Sequence, residues 1–341
     1  MYKEYWKSKL NTPCQTLYDQ MVCEFGKMNE RVRCDSFSPE EISNTYIAVY
    51  NDHPELFYLP HNPQLQRRVA AAFFSSTTLI AKFIYSQTQI QTFNQEIERV
   101  KTLFLEKKKN SKSSIDLEKS FVDYCLQHFS YAIDNVYHQN AASPLVKHIG
   151  QCSGISKAVK LIFDAISIPS IVVSGNAFDP KNNRYEAHSW NIVSINGASY
   201  HLDVTMMMGC NTTKSLPYRY THFNLSDAEI CKSHSWNNKD VPPCLTRMAE
   251  AVTKTSTGIQ SNNIFYYEVK SLVEFKQYLK EQIKQCKYDV TVKNTIAGYT
   301  DNNLLKLYCS ATEAVLSQLN VGGRYEISIA NNIVRVQYHK E

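Results

Sequence analysis

The chain has 341 residues, 43% hydrophobic, 12% aromatic and 20% charged, with a formal net charge of +5. This composition suits a globular protein with a real core and room for two or three domains, and the small, intermixed charge excludes a strongly basic nucleic-acid binder. No stretch reaches the ~18–20 apolar residues of a membrane span, and the ten cysteines are scattered, so most read as reduced and buried.

The start of the chain lacks the apolar core of a signal peptide, so the expected location is cytoplasmic, or secreted if a leader has been removed. Residues 1–110 read as a helical N-terminal region. In "SFSPEEISNTYIAVYNDHP", Ser38 caps a helix, Pro39 opens its first turn and Glu41 completes a capping box. Ile42, Tyr46 and Val49 follow at helical spacing until Pro54 stops the pattern. "TQIQTFNQEIERVKTLFLEKKK" reads as a second helix, with the basic run "EKKKNSK" at 106–112 as its solvated end. A third helix carries Leu117, Phe121, Cys125 and Phe129 on one stripe.

Residues 111–250 change character. A helix starting at Cys152 buries Ile155, Val159, Ile162, Phe163 and Ile166, and Ile168-Pro169 ends it. "SIVVSG" is a short strand. "HSWNIVSINGASYHLDVT" reads as two strands joined by Asn196-Gly197, a strong hairpin signal. The polar stretch "TKTSTGIQSNN" reads as a linker. Residues 264–341 then read as a small α+β unit: strand, helix, strand, helix and a closing hairpin in "RYEISIANNIVRVQYHK".

The hairpin turn allows a geometric deduction. A two-residue turn at Asn196-Gly197 pairs Ile195 with Ala198. Counting outward sets Trp190 opposite Asp203 and puts His188 on the same face, diagonal to Asp203. A carboxylate behind a histidine fixes its tautomer and stabilises the imidazolium. Cys152, at a helix N-terminus where the dipole favours thiolate, is the candidate nucleophile. Gly154 in the first turn leaves room for a substrate backbone. Each part alone has an ordinary structural reading, as a buried cysteine or a satisfied polar pair; the combination points to catalysis.

"GQCSGISKAVKLIFDAISIPSIVVSG" followed by "EAHSWNIVSINGASYHLDVT" resembles the transglutaminase-like superfamily of papain-type cysteine enzymes. "NDHPELFYLP" and "THFNLSDAEICKSHSW" resemble flanking regions of bacterial proteins of this type. The resemblance implies an α+β fold: a papain-like transglutaminase core with a helical N-terminal region and a small C-terminal α+β unit. It implies a catalytic triad of Cys152, His188 and Asp203, with the Cys152 N–H in the oxyanion hole. The side-chain donor to that hole is expected from Gln139, with His138 as the alternative. The run Met206-Met207-Met208 and Ala142 depart from the family pattern.

The expected chemistry is acyl transfer through a Cys152 thioester on a protein or peptide substrate, most simply hydrolysis by a protease or amidase. The alternatives are a protein-glutamine transglutaminase, a glycanase-like hydrolase and a non-catalytic peptide-binding module. Neither a cofactor, a nucleic-acid partner nor a membrane span is expected. Cys210, Cys231, His234 and Cys244 offer zinc-ligand types, but their irregular spacing favours ordinary packing and no metal. His201 and His222 read as surface or cleft-rim residues.

Overall fold

The computed structural model describes residues 2–71, 74–132, 136–179, 184–211, 222–246, 248, 267–284, 289–296, 301–321, 323–330 and 333–340. The chain is α+β and groups into two compact units. One takes in Met1–Thr205 and His222–Met248; the other takes in Met206–Thr221 and Ala249–Glu341.

The first unit opens with helix α1 (Thr12–Gly26), capped by Asn11 and with Pro13 in its first turn. Strand β1 (Arg31–Arg33) and helix α2 (Pro39–Asp52) follow. The capping box at α2 forms as the sequence dictates: Ser38 accepts from the Glu41 N–H, and the Glu41 carboxylate receives the Ser38 N–H. Ile42, Tyr46 and Val49 are buried on its inner face.

The helical reading of residues 1–110 needs one correction. Strands β2 (Gln64–Ala71) and β3 (Phe74–Ile80) form an antiparallel hairpin, and β1 completes a three-stranded sheet in the order β1-β3-β2. The sequence at 70–74 is Ala-Ala-Ala-Phe-Phe. It carries none of the Gly, Asn, Asp or Pro residues that announce a turn, and the register shifts between Val69 and Ala71, which blurs the alternation.

Helix α3 (Gln87–Asn110) has a Ser86–Gln89 capping box, and Lys107, Lys108 and Lys109 form its last turn, where cations favour the helix dipole. Helix α4 (Ser114–His128) buries Leu117, Phe121 and Cys125. Strands β4 (Ser130–Tyr131) and β5 (Ile149–Gly150) pair in parallel, with helix α5 (Ala142–Lys147) between them.

Helix α6 (Cys152–Ile166) is the centre of the unit, with Ile155, Val159, Ile162, Phe163 and Ile166 all buried. Each such side chain contributes about 1.5–3 kcal/mol on removal from water, which makes α6 a rigid platform. It packs on β6 (Ser170–Asp179) and β7 (Arg184–Ile195). With β8 (Ala198–Leu202) and β9 (His234–Ser235) these form an antiparallel sheet in the order β8-β7-β6-β9. Asn196 and Gly197 both have positive φ, 52° and 84°, as a primed turn requires, and Ile195 pairs with Ala198.

The N-terminal segment is joined to this sheet. The Trp6 indole N–H donates to the Val172 carbonyl at 3.0 Å, and Tyr2 and Ser199 share a hydroxyl hydrogen bond of 2.8 Å. Helices α7 (Val204–Asn211) and α8 (Asp227–Ile230) follow β8. Met207 and Met208, part of the departure noted above, are buried.

The second unit follows the predicted order: β10 (Tyr267–Val269), α9 (Leu272–Lys284), β11 (Asp289–Asn294), α10 (Asp301–Gln318) and the hairpin β12 (Gly323–Ala330) with β13 (Ile333–Lys340). Its sheet order is β10-β11-β13-β12. Phe275, Leu279, Tyr308 and Val315 from the helices close its core over Val292 and Val336 of the sheet. The linker expected at "TKTSTGIQSNN" lies outside the described residues. Among the described residues, no helix is long and apolar enough to cross a membrane.

Candidate active site

Cys152 is the first residue of α6, and its cap Gln151 makes no side-chain cap hydrogen bond. The N–H groups of the first turn have no intrahelical acceptor, so the sulfur sits at the positive end of a 15-residue helix. The strand that faces it, β7, presents His188. The His188 imidazole and the Ser189 backbone N–H both act on the sulfur to favour its charged form.

Behind His188 lies Asp203. The His188 Nε2 approaches Asp203 Oδ2 at 2.7 Å, which leaves Nδ1 for the sulfur. The diagonal deduced from the hairpin turn is therefore the arrangement observed, and the structure brings Cys152, His188 and Asp203 together. Asp203 is wholly buried.

The electrostatics follow from this alignment. Burial alone would push the Cys152 thiol up; the His188 hydrogen bond and charge, with the Ser189 N–H, outweigh it and leave the thiol below its ordinary range. Burial alone would lower His188; the Asp203 carboxylate and the Cys152 sulfur reverse this and raise it to about 10. Burial would raise Asp203, but His188 and His234 hold it well below the usual carboxylate range. Both shifts favour a thiolate facing an imidazolium, each charge stabilising the other.

Two partners were not visible in the sequence. Tyr131, half-exposed on the two-residue strand β4, lies close enough to the Cys152 sulfur that partial burial together with that sulfur pushes its hydroxyl up from its ordinary range. His234, on the edge strand β9, brings its Nε2 to within 2.9 Å of Asp203 Oδ2. Tyr131 sits 21 positions before the cysteine and His234 31 positions after the aspartate, so neither has a local spacing that would reveal it.

Gln139 reaches the first turn of α6 through its backbone. Its carbonyl accepts from the Tyr50 hydroxyl at 3.2 Å, the Ser153 hydroxyl at 3.3 Å and the Lys157 Nζ at 3.5 Å, and its side-chain Oε1 is buried without a hydrogen-bond partner. The His138 carbonyl receives the Gln151 N–H at 2.9 Å.

Gly154 has a different reason from the one expected. A Cβ there would lie 2.2 Å from the His138 carbonyl oxygen and 3.0 Å from that of Asn140. The glycine admits the chain's own 138–140 backbone against the helix, not a substrate. Gly154→Ala is expected to destabilise the protein by about 2–3 kcal/mol, because the obstructing atoms are backbone and overpacking cannot be relieved by a rotamer change. Urea unfolding measures this; an unchanged midpoint would show that the 138–140 segment moves freely.

His201 is a correction. It is buried in the core, with Nδ1 accepting from the Trp190 indole at 2.9 Å and Nε2 on Asp227 Oδ1 at 2.8 Å. His222 lies beside His234 at 5.6 Å between ring centres, and burial pushes it down to about 4. The expected zinc-type residues are dispersed. Cys231 is exposed, Cys244 is buried with its N–H on Asp227, His234 is on Asp203, and the Cys210 side chain is outside the described residues. Two other groups have metal-ligand types within 4.8 Å: His188, Asp203 and His234, and His201, Asp227 and Cys244. Hydrogen bonds within each group account for the close approach.

No family model and no curated protein matches this chain. Among solved structures, it is similar to transglutaminase-like proteins. One is described as a TGase, with 12% identity, 51% of this chain and 50% of that chain aligned, and a TM-score of 0.30. Another, from Cytophaga hutchinsonii, is described as a candidate cysteine protease, with 13% identity, 42% and 62% aligned and a TM-score of 0.28. A third is the periplasmic domain of TgpA from Pseudomonas aeruginosa, with 17% identity, 39% and 55% aligned and a TM-score of 0.25. The chain spans about half the length of the first of these, and at such scores nothing about its chemistry follows from them.

Proposed function

We propose that the protein is a cysteine-dependent acyl-transfer enzyme that hydrolyses peptide or amide bonds. The observation that carries this is the continuous line Asp203–His188–Cys152 at the start of a buried helix, with the thiol lowered and the imidazole raised. In this reading the Cys152 thiolate attacks the substrate carbonyl carbon. The Cys152 N–H, in the first helical turn where N–H groups have no intrahelical acceptor, and the Tyr131 hydroxyl receive the developing oxyanion. Gln139, with its carbonyl engaged as above, supports that turn.

His188 then gives its Nδ1 proton to the departing amine, leaving a thioester on Cys152. Water, activated by the now neutral His188, attacks the thioester; the acid leaves, and the thiolate and imidazolium are restored. Asp203 stays ionised throughout and orients the ring. Water is assigned as acceptor because it reaches a partly exposed sulfur and the sequence offers no acceptor-amine site. A protein or peptide is the substrate class assigned.

The test is the rate of iodoacetamide alkylation of Cys152 against pH, read by mass spectrometry, with the exposed Cys23 and Cys231 as internal references. Cys152 is expected to alkylate with an apparent pKa well below the free-thiol value of about 8.5. With a peptide substrate, turnover should fall again as His188 loses its proton near 10. A Cys152 profile matching the two references would instead favour a cleft that only binds peptide.

A further inference from the structure

We propose that His234 is a positioning residue of this site: it anchors the Asp203 carboxylate so that His188 faces the Cys152 sulfur. The inference rests on the reading of the site given above. Asp203 is completely buried, and a single oxygen, Oδ2, takes both His188 Nε2 at 2.7 Å and His234 Nε2 at 2.9 Å. An ionised carboxylate only accepts hydrogen bonds, so both ring nitrogens donate to it.

The two donors come from the strands on either side of β6, where pairing with Gly175 and Ala177 sets both on one face of the sheet. His188 stands on β7, while His234 stands on the edge strand β9, whose backbone pairs with β6 through Ala177. The His234 side chain is wholly buried, its Nδ1 lies 2.8 Å from the Ser233 hydroxyl, and its ring meets Trp190 edge-on at 5.0 Å. That ring is fixed at three points. Of the other ionisable groups that act on it, His222 is pushed down to about 4 by burial and His201 is also lowered by burial.

A carboxylate on the short aspartate side chain turns readily about its last bond. With His188 as its main partner, the carboxylate would follow the imidazole. With His234 fixed behind it, the imidazole follows the carboxylate. Precise orientation of the first contact by a rigid second contact is the general way such constellations are held.

The test compares His234→Met, which removes the donor at similar volume, with His234→Gln, whose amide can still donate to Asp203. The readout is the pH dependence of Cys152 alkylation by iodoacetamide in the full chain. In His234→Met the acid limb of that profile is expected to move up by about one pH unit, toward the free-thiol value. His234→Gln is expected to restore most of the shift.

A limb that stays in place, or moves to lower pH, overturns the proposal, since a merely structural histidine would change the melting temperature alone and a competing donor would shift the limb downward. If His234→Met does not fold, Ser233→Ala, which releases only the Nδ1 contact, is expected to move the limb upward by a smaller amount; an unchanged limb then counts against the proposal. A wild-type limb already at about 8.5 is a separate failure, because it removes the thiolate–imidazolium pair itself and with it the proposed enzyme.

Discussion

Asp203→Asn is expected to leave the protein folded and to slow turnover by up to about 10⁴-fold, the loss seen when the carboxylate of a serine triad is neutralised. The reason is local. Asp203 is held as a carboxylate by His188 and His234, and its charge is what raises His188 to about 10 against the opposing effect of burial. An amide cannot do this. His188 then returns toward the low value that burial favours, the imidazolium is lost at neutral pH, and Cys152 reverts to a thiol. At pH 6 a thiol of pKa about 8.5 is ionised to less than about 1%, so alkylation of Cys152 at that pH should fall by roughly 100-fold even without a substrate. Circular dichroism and thermal melting establish that the fold survives. Wild-type alkylation and turnover in Asp203→Asn would remove Asp203 from the machinery.

The second large effect concerns stability rather than catalysis. Glu118 on α4 is completely buried and accepts from the Asn224 side-chain amide at 2.7 Å. Asn224 itself adopts a positive φ of 52°, in the segment whose His222 carbonyl receives the Asp203 N–H at 2.9 Å. Glu118 Oε1 and Asn224 Oδ1 are both buried without a hydrogen-bond partner. A buried acceptor without a donor costs less once its carboxyl is protonated and uncharged. Consistent with this, burial raises Glu118 from 4.5 to about 8, against the opposing pull of the Asn224 hydrogen bond.

In the unfolded chain the same group ionises near its ordinary 4.5. The folded state therefore retains a proton that the unfolded state has released, over the interval between those two values. This contribution to stability is complete below about pH 4.5, declines as the pH rises, and is exhausted above about pH 8. Each unit of that interval carries about 1.4 kcal/mol at most, so the total is on the order of a few kcal/mol.

Glu118→Gln keeps the shape and supplies a permanent N–H donor. It is expected to flatten the stability profile between pH 5 and 8, and to raise the melting temperature at pH 8.5 by roughly 5–10 °C. Melting curves of both proteins across that range measure it. Parallel curves for wild type and variant would mean that Glu118 is ionised in the folded protein.

Much of the secondary structure was legible. The capping box at Ser38 uses side chains three residues apart, and the apolar stripes of α4 and α6 recur at helical spacing. The hairpin at 64–80 was not, because its connection has no turn-forming residue. The closing hairpin of the second unit was, because alternating β-branched residues flank Asn331-Asn332. His201 was misplaced at the surface because a histidine's burial depends on whether partners exist to satisfy both nitrogens, here Trp190 and Asp227.

What the sequence determined by itself was every relation carried by a short stretch of chain. Asn196-Gly197 sets the turn, the turn sets the register, and the register places His188 diagonal to Asp203; Cys152 opens a helix because an apolar stripe begins directly after it. Only the tertiary structure decided what meets these residues. It brought β7 across the start of α6, placed Tyr131 near the sulfur, laid the His138 and Asn140 carbonyls against Gly154, and returned His234 to Asp203 after 31 residues. Turn and helix preferences act between neighbours along the chain, whereas these meetings are fixed by close packing of elements far apart in sequence, which no local pattern of residues encodes.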